Sequence, residues 1–66
     1  MNAKWQTLSP QAQNTYNAIV RACKSSRYHE VRASRYWSDA LDELLRAGLV
    51  HEDRRGPGWP TMLYLD

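Results

Sequence analysis

Ser38-Asp39-Ala40-Leu41-Asp42-Glu43-Leu44-Leu45-Arg46-Ala47-Gly48-Leu49-Val50 carries the clearest structural signal in the chain. Taken with Trp37, it places Trp37, Ala40, Leu41, Leu44 and Leu45 at the i, i+3, i+4, i+7, i+8 spacing of one helix face. Asp39 falls near the positive end of the helix dipole and Arg46 near the negative end. Ser34 or Ser38 is available as a cap. Gly48 suits the left-handed residue that closes a helix, after which Leu49 folds back on Leu44. The spacing predicts a helix over residues 35–47, ended by a sharp reversal into an extended segment.

Upstream, Leu8-Ser9-Pro10 reads as a second helix start. The Ser9 hydroxyl suits the N-cap, and Pro10 suits the first turn, where no backbone amide is needed. Ala12, Tyr16, Ile19, Val20 and Cys23 then share one face, with Gln11, Asn14, Asn17, Arg21 and Lys24 largely opposite. This predicts a helix from Pro10 to Lys24, stopped by Ser25-Ser26. Residues 1–8 precede it as an N-terminal arm. Between the helices, residues 27–33 offer only Tyr28 and Val31 as main apolar positions. They fit a short extended piece, two helical turns, or one running into the other.

Downstream, Leu49–Asp53 and Trp59–Leu65 read as strands. They are separated by the turn-forming Arg54-Arg55-Gly56-Pro57-Gly58. Pro60 lacks an amide and belongs at an edge or a strand start. The sequence thus describes an α+β chain forming a single domain over residues 1–66: arm, helical part over 9–47, hairpin over 49–66.

Composition agrees with one small folded unit. The chain has 66 residues, 42% hydrophobic and 24% charged. A chain this short buries only about 60% of the surface its unfolded form exposes. Three tryptophans and four tyrosines supply large anchors in the absence of phenylalanine. With a single cysteine, Cys23, neither an intramolecular disulfide nor a thiolate metal cluster is possible. Cys23 sits on the apolar face of its helix and reads as a small buried hydrophobe. No apolar run approaches the roughly 18 residues that span a bilayer. The first ten residues contain no signal-type apolar region. A cytoplasmic location is the expectation, with no membrane partner.

The residues also resemble a known superfamily. The Ala-Leu…Leu…Ala-Gly-Leu-Val pattern, the Arg-Gly-Pro-Gly turn and the closing Met62-Leu63-Tyr64-Leu65 resemble the winged-helix (winged helix-turn-helix) regulators of bacteria and phages. That resemblance covers about half the chain. It implies two or three helices followed by a C-terminal antiparallel β-hairpin, the wing. It also implies double-stranded DNA as partner, with the exposed side of the 35–47 helix in the major groove. By position, the groove-facing residues are then Ser34, Arg35, Tyr36, Ser38, Asp39 and Asp42. Arg35 would grip guanine or phosphate, and Ser34 and Ser38 would bond phosphates. Arg54 and Arg55 would approach from the wing tip, and Arg27 and Arg32 would hold the flanking backbone. The implied role is a small transcriptional regulator or a replication or recombination accessory factor from a phage, plasmid or bacterium.

A rival reading rests on charge. The net charge is only +2, and DNA affinity grows with the number of phosphates neutralised. Asp39, Asp42 and Glu43 crowd the supposed reading helix and repel phosphate, although carboxylates can accept from cytosine N4. Those three, with Trp59 or Tyr36 as an anchor, suit a protein-binding winged helix that inhibits or adapts a larger host enzyme. The oligomeric state is open in both readings. Trp37 lies on the leucine stripe and is expected in the core. Tyr36 is open, and Trp59 can pack over the hairpin or stand exposed. His29 and His51, beside Glu30 and Glu52, match no zinc spacing. No nucleophile–base pair, phosphate loop or carboxylate pair stands out. Neither enzymatic activity nor a metal or cofactor is expected.

Overall fold

The computed structural model describes residues 3–65 and is α+β. Its elements in chain order are α1 (Ala3–Thr7), α2 (Pro10–Ser25), β1 (Glu30–Arg32), a 3₁₀ turn (Ala33–Arg35), α3 (Ser38–Arg46), β2 (His51–Asp53) and β3 (Met62–Tyr64). The three strands form one antiparallel sheet in the order β1-β3-β2. This arrangement is compatible with a winged-helix-like layout.

The start of α2 follows from its local chemistry. Ser9 is the N-cap with extended backbone, and its Oγ accepts from the Ala12 amide at 3.2 Å. Pro10 occupies the first helical position. The same hydroxyl donates to Glu43 Oε2 at 2.7 Å, which ties the start of α2 to α3. Part of the expected arm is helical. The Gln13 side chain donates to the Trp5 carbonyl at 3.0 Å, and the Trp5 ring meets Tyr16 edge-on at 5.4 Å between centroids. The first two residues of that arm lie outside the described residues.

Helix α3 begins later than its hydrophobic spacing implies. Trp37 is its N-cap, with extended backbone and no side-chain capping bond, so neither Ser34 nor Ser38 caps it. The helical period therefore does not extend back to Trp37, and its ring is 66% exposed rather than buried with the leucines. The remaining stripe behaves as expected: Ala40, Leu41 and Leu44 are buried and Leu45 is half-buried. They pack against α2, where Ala12, Ile19 and Cys23 are buried and Val20 is half-buried.

The end of α3 is a Schellman closure. Gly48 has φ 74°, its amide donates to the Leu45 carbonyl at 3.1 Å, and the Leu49 amide donates to the Leu44 carbonyl at 3.0 Å. A side chain is strained in this conformation, by about 1 kcal/mol. Gly48→Ala should lower thermal stability accordingly, read as a fall in Tm by circular dichroism. An unchanged or raised Tm would mean that this turn tolerates a side chain.

Residues 27–33 adopt the third of the open alternatives, an extended piece running into a helical turn. β1 pairs with β3 through Glu30↔Tyr64, Val31↔Leu63 and Arg32↔Met62. β2 pairs with the other edge of β3 through His51↔Tyr64, Glu52↔Leu63 and Asp53↔Met62. The hairpin expected from residues 49–53 and 59–65 therefore exists, but with shorter strands, and a third strand extends it. Val31 and Leu63 face the helices and are buried, with Val50, while Arg32 and Tyr64 on the opposite face are exposed. In the hairpin loop, the Trp59 amide donates to the Gly56 carbonyl at 3.2 Å, and Gly58 has φ 85°. Pro57 and Gly58 thus occupy the two central positions of a type II turn, which needs a positive φ at the second.

Candidate nucleic-acid interface

The hairpin arginines are held by the fold's own carboxylates. Arg54 and Arg55 directly follow β2, and each meets the carboxylate two residues before it, Glu52 for Arg54 and Asp53 for Arg55. Arg54 donates to Glu52 Oε2 at 3.3 Å. Arg55 Nε donates to Asp53 Oδ2 at 3.2 Å, and its Nη2 donates to both oxygens of Glu30, at 3.1 and 3.3 Å. Arg55 thereby joins β2 to β1 across β3. The hydrogen bond to Asp53 and the charges of Glu30 and Asp53 raise its pKa further above the ordinary guanidinium value.

Arg27, Arg32 and Arg35 are exposed and have no ion-pair partner among the described residues. Arg32 leaves the outward side of β1, and Arg35 ends the 3₁₀ turn. These two line one open groove of about 370 Å³ together with Ser25 and Ser26 at the end of α2. Glu30 also lines the groove, with both its oxygens bound by Arg55, so the groove combines two guanidinium groups without an ion-pair partner and two hydroxyls, a donor set suited to phosphate oxygens.

Ser34, Tyr36 and Ser38 line a different groove, against Glu52, Pro60 and Thr61. This is the groove between the start of α3 and the β2–β3 hairpin. Arg35 does not line it, because the 3₁₀ turn directs Ser34 and Arg35 to different sides. Tyr36 is half-buried against the core. On α3 itself, Asp39 and Asp42 are exposed, while Glu43 is half-buried and engaged by Ser9. The expected site is therefore divided. Its serines and tyrosine lie beside acidic residues, and two of its arginines lie together on another side.

A third cleft, of about 410 Å³, opens on the outward face of the sheet and shares Ser26, Glu30, Arg32 and Met62 with the arginine groove. Tyr28 and Trp59 line it, 76% and 64% exposed. Sequence reasoning left Trp59 open and gave Tyr28 no role. It also overlooked Glu52 and Asp53 as arginine partners, although each stands two residues before its arginine.

Cys23 is buried, and burial first, then the nearby charge of Glu30, raises its thiol pKa above the ordinary value of 9.0. The thiol is therefore protonated at neutral pH and poorly nucleophilic. A thiol bound more tightly to its proton in the folded state gives stability that is present below pH 9 and lost as pH rises through the raised value. The native protein should react with iodoacetamide at pH 8 far more slowly than the denatured chain. Equal rates would show an accessible thiolate.

Among the described residues no three His, Cys, Asp or Glu side chains converge to hold a metal ion, and no helix is long and apolar enough to cross a membrane. The fold and grooves define a small α+β domain with an arginine-bearing surface. Comparison of the chain with protein-family models, with curated proteins and with solved structures finds no match.

Proposed function

We propose that this protein is a winged-helix-type DNA-binding module, serving as a small transcriptional regulator or a replication or recombination accessory factor. The observation that carries the reading is the pair Arg32 and Arg35, which share a groove with Ser25 and Ser26 and have no carboxylate partner among the described residues. The winged-helix-like order of helices and strands supports it as analogy. The phosphate contacts are assigned to the β1 and 3₁₀-turn side, with Arg27 nearby in sequence. Arg54 adds to them by exchanging Glu52 for phosphate, since exposed ion pairs are worth only about 0–1 kcal/mol.

A second reading is favoured by one feature. Asp39 and Asp42 are exposed on α3, and the exposed Trp37 ring stands at its start. An acidic helix face beside a large aromatic suits a basic protein partner.

A salt titration of binding to random duplex DNA separates the two. DNA binding requires the logarithm of affinity to fall linearly with the logarithm of salt. Absence of duplex binding even at low salt, together with a stoichiometric protein partner recovered from lysate, would support the second reading instead.

A further inference from the structure

We propose that the cleft on the outward face of the sheet is a stacking site for unpaired nucleotides, so that the protein binds single-stranded DNA and single-strand/duplex junctions. This rests on the nucleic-acid reading above but concerns a different surface from the arginine groove. The walls are Tyr28, from the turn before β1, and Trp59, from the hairpin loop. Met62 lies on the floor, directly opposite Arg32 in the β1–β3 register. Two large rings left more than 60% exposed have not been used to build the core.

The charge of the cleft selects the occupant. Glu30 alone would repel a phosphate, but Arg55 binds both of its oxygens. Arg32 then remains as the uncompensated charge, and the cleft is cationic. A proline-rich peptide would use the rings but has no need of that cation. A duplex would satisfy the cation, but its bases are already stacked and cannot present their faces to the rings. An unpaired strand satisfies both: bases stack on the rings and phosphates meet Arg32. The two surfaces adjoin along Ser26, Glu30, Arg32 and Met62, and Arg32 is the cation they share. A strand leaving a duplex end held by Arg32 and Arg35 passes directly to the rings.

The test is fluorescence anisotropy with a labelled oligothymidylate and with a blunt duplex. Tyr28→Leu and Trp59→Leu should each weaken oligothymidylate binding by about tenfold, while Tyr28→Phe and Trp59→Phe retain most of it. Duplex affinity should stay within about twofold in all four variants, since the rings lie outside the duplex groove. Circular dichroism verifies folding. Arg32→Ala should weaken both ligands. Wild-type affinity for the oligothymidylate that is undetectable, or that is unchanged in both leucine variants, would overturn the inference. So would a ring-dependent proline-rich peptide that displaces the strand, or ring-dependent self-association that does so. If the wild type binds the single strand through the rings but no duplex at any salt, the stacking site stands and the duplex reading falls.

Discussion

Leu44→Ala should leave the chain largely unfolded at room temperature. Leu44 is fully buried on α3, in the layer where that helix meets α2. Removing a leucine side chain from such a site costs about 2–5 kcal/mol, from lost transfer energy and the cavity left behind. A domain of this size rarely has more than about 3–5 kcal/mol of stability in total. The expected readout is loss of the cooperative thermal transition, with helical circular dichroism much reduced. Trp37→Ala is the matched control. Its ring is larger than a leucine side chain but mostly exposed, so the cost should be within about 0.5 kcal/mol. If Trp37→Ala unfolds the chain and Leu44→Ala does not, α3 begins a turn earlier than described and its leucine stripe faces outward.

That pair of variants also marks where the sequence was informative. The stripe Ala40, Leu41, Leu44 and Leu45 was legible because four apolar residues repeat with helical period and Gly48 closes the run. The cap at Ser9 and Pro10 was legible for the same reason: each residue type performs a backbone task that few others can. Trp37 misled because spacing alone cannot tell the last residue before a helix from the first residue within it. Strand β1 was ambiguous because it has three residues, and its pairing with β3 joins positions about thirty apart, which no local pattern encodes. The site was less legible than the fold. Each arginine was visible as a charge, but whether it is free depends on partners that folding supplies. Glu30 meets Arg55 only because β1 and β2 flank the same strand.

Arg32→Ala with Arg35→Ala should abolish most duplex binding while leaving the fold intact. Both side chains are exposed and have no ion-pair partner among the described residues, so their removal costs little stability. Each phosphate-contacting arginine lost should reduce the salt slope by about one unit, so the double variant should lose about two. Asp39→Asn with Asp42→Asn should strengthen binding, because two charges that repel the backbone disappear. The hairpin provides the discriminating comparison. Arg54→Ala removes a charge already shared with Glu52 and should weaken binding slightly. Arg55→Ala should weaken it more, although Arg55 need not touch DNA, because Glu30 and Asp53 are left uncompensated and Glu30 lines the groove of Arg32 and Arg35. Glu30→Gln in the Arg55→Ala background should therefore recover part of the lost affinity. Recovery identifies Arg55 as the group that silences Glu30, and failure to recover identifies it as a direct phosphate contact. If the Arg32→Ala, Arg35→Ala protein binds duplex DNA with wild-type affinity and salt slope, phosphate recognition does not occur in this groove. The triple Arg35→Ala, Arg54→Ala, Arg55→Ala then tests whether it occurs at the hairpin, and full duplex affinity there as well would overturn the duplex-DNA reading.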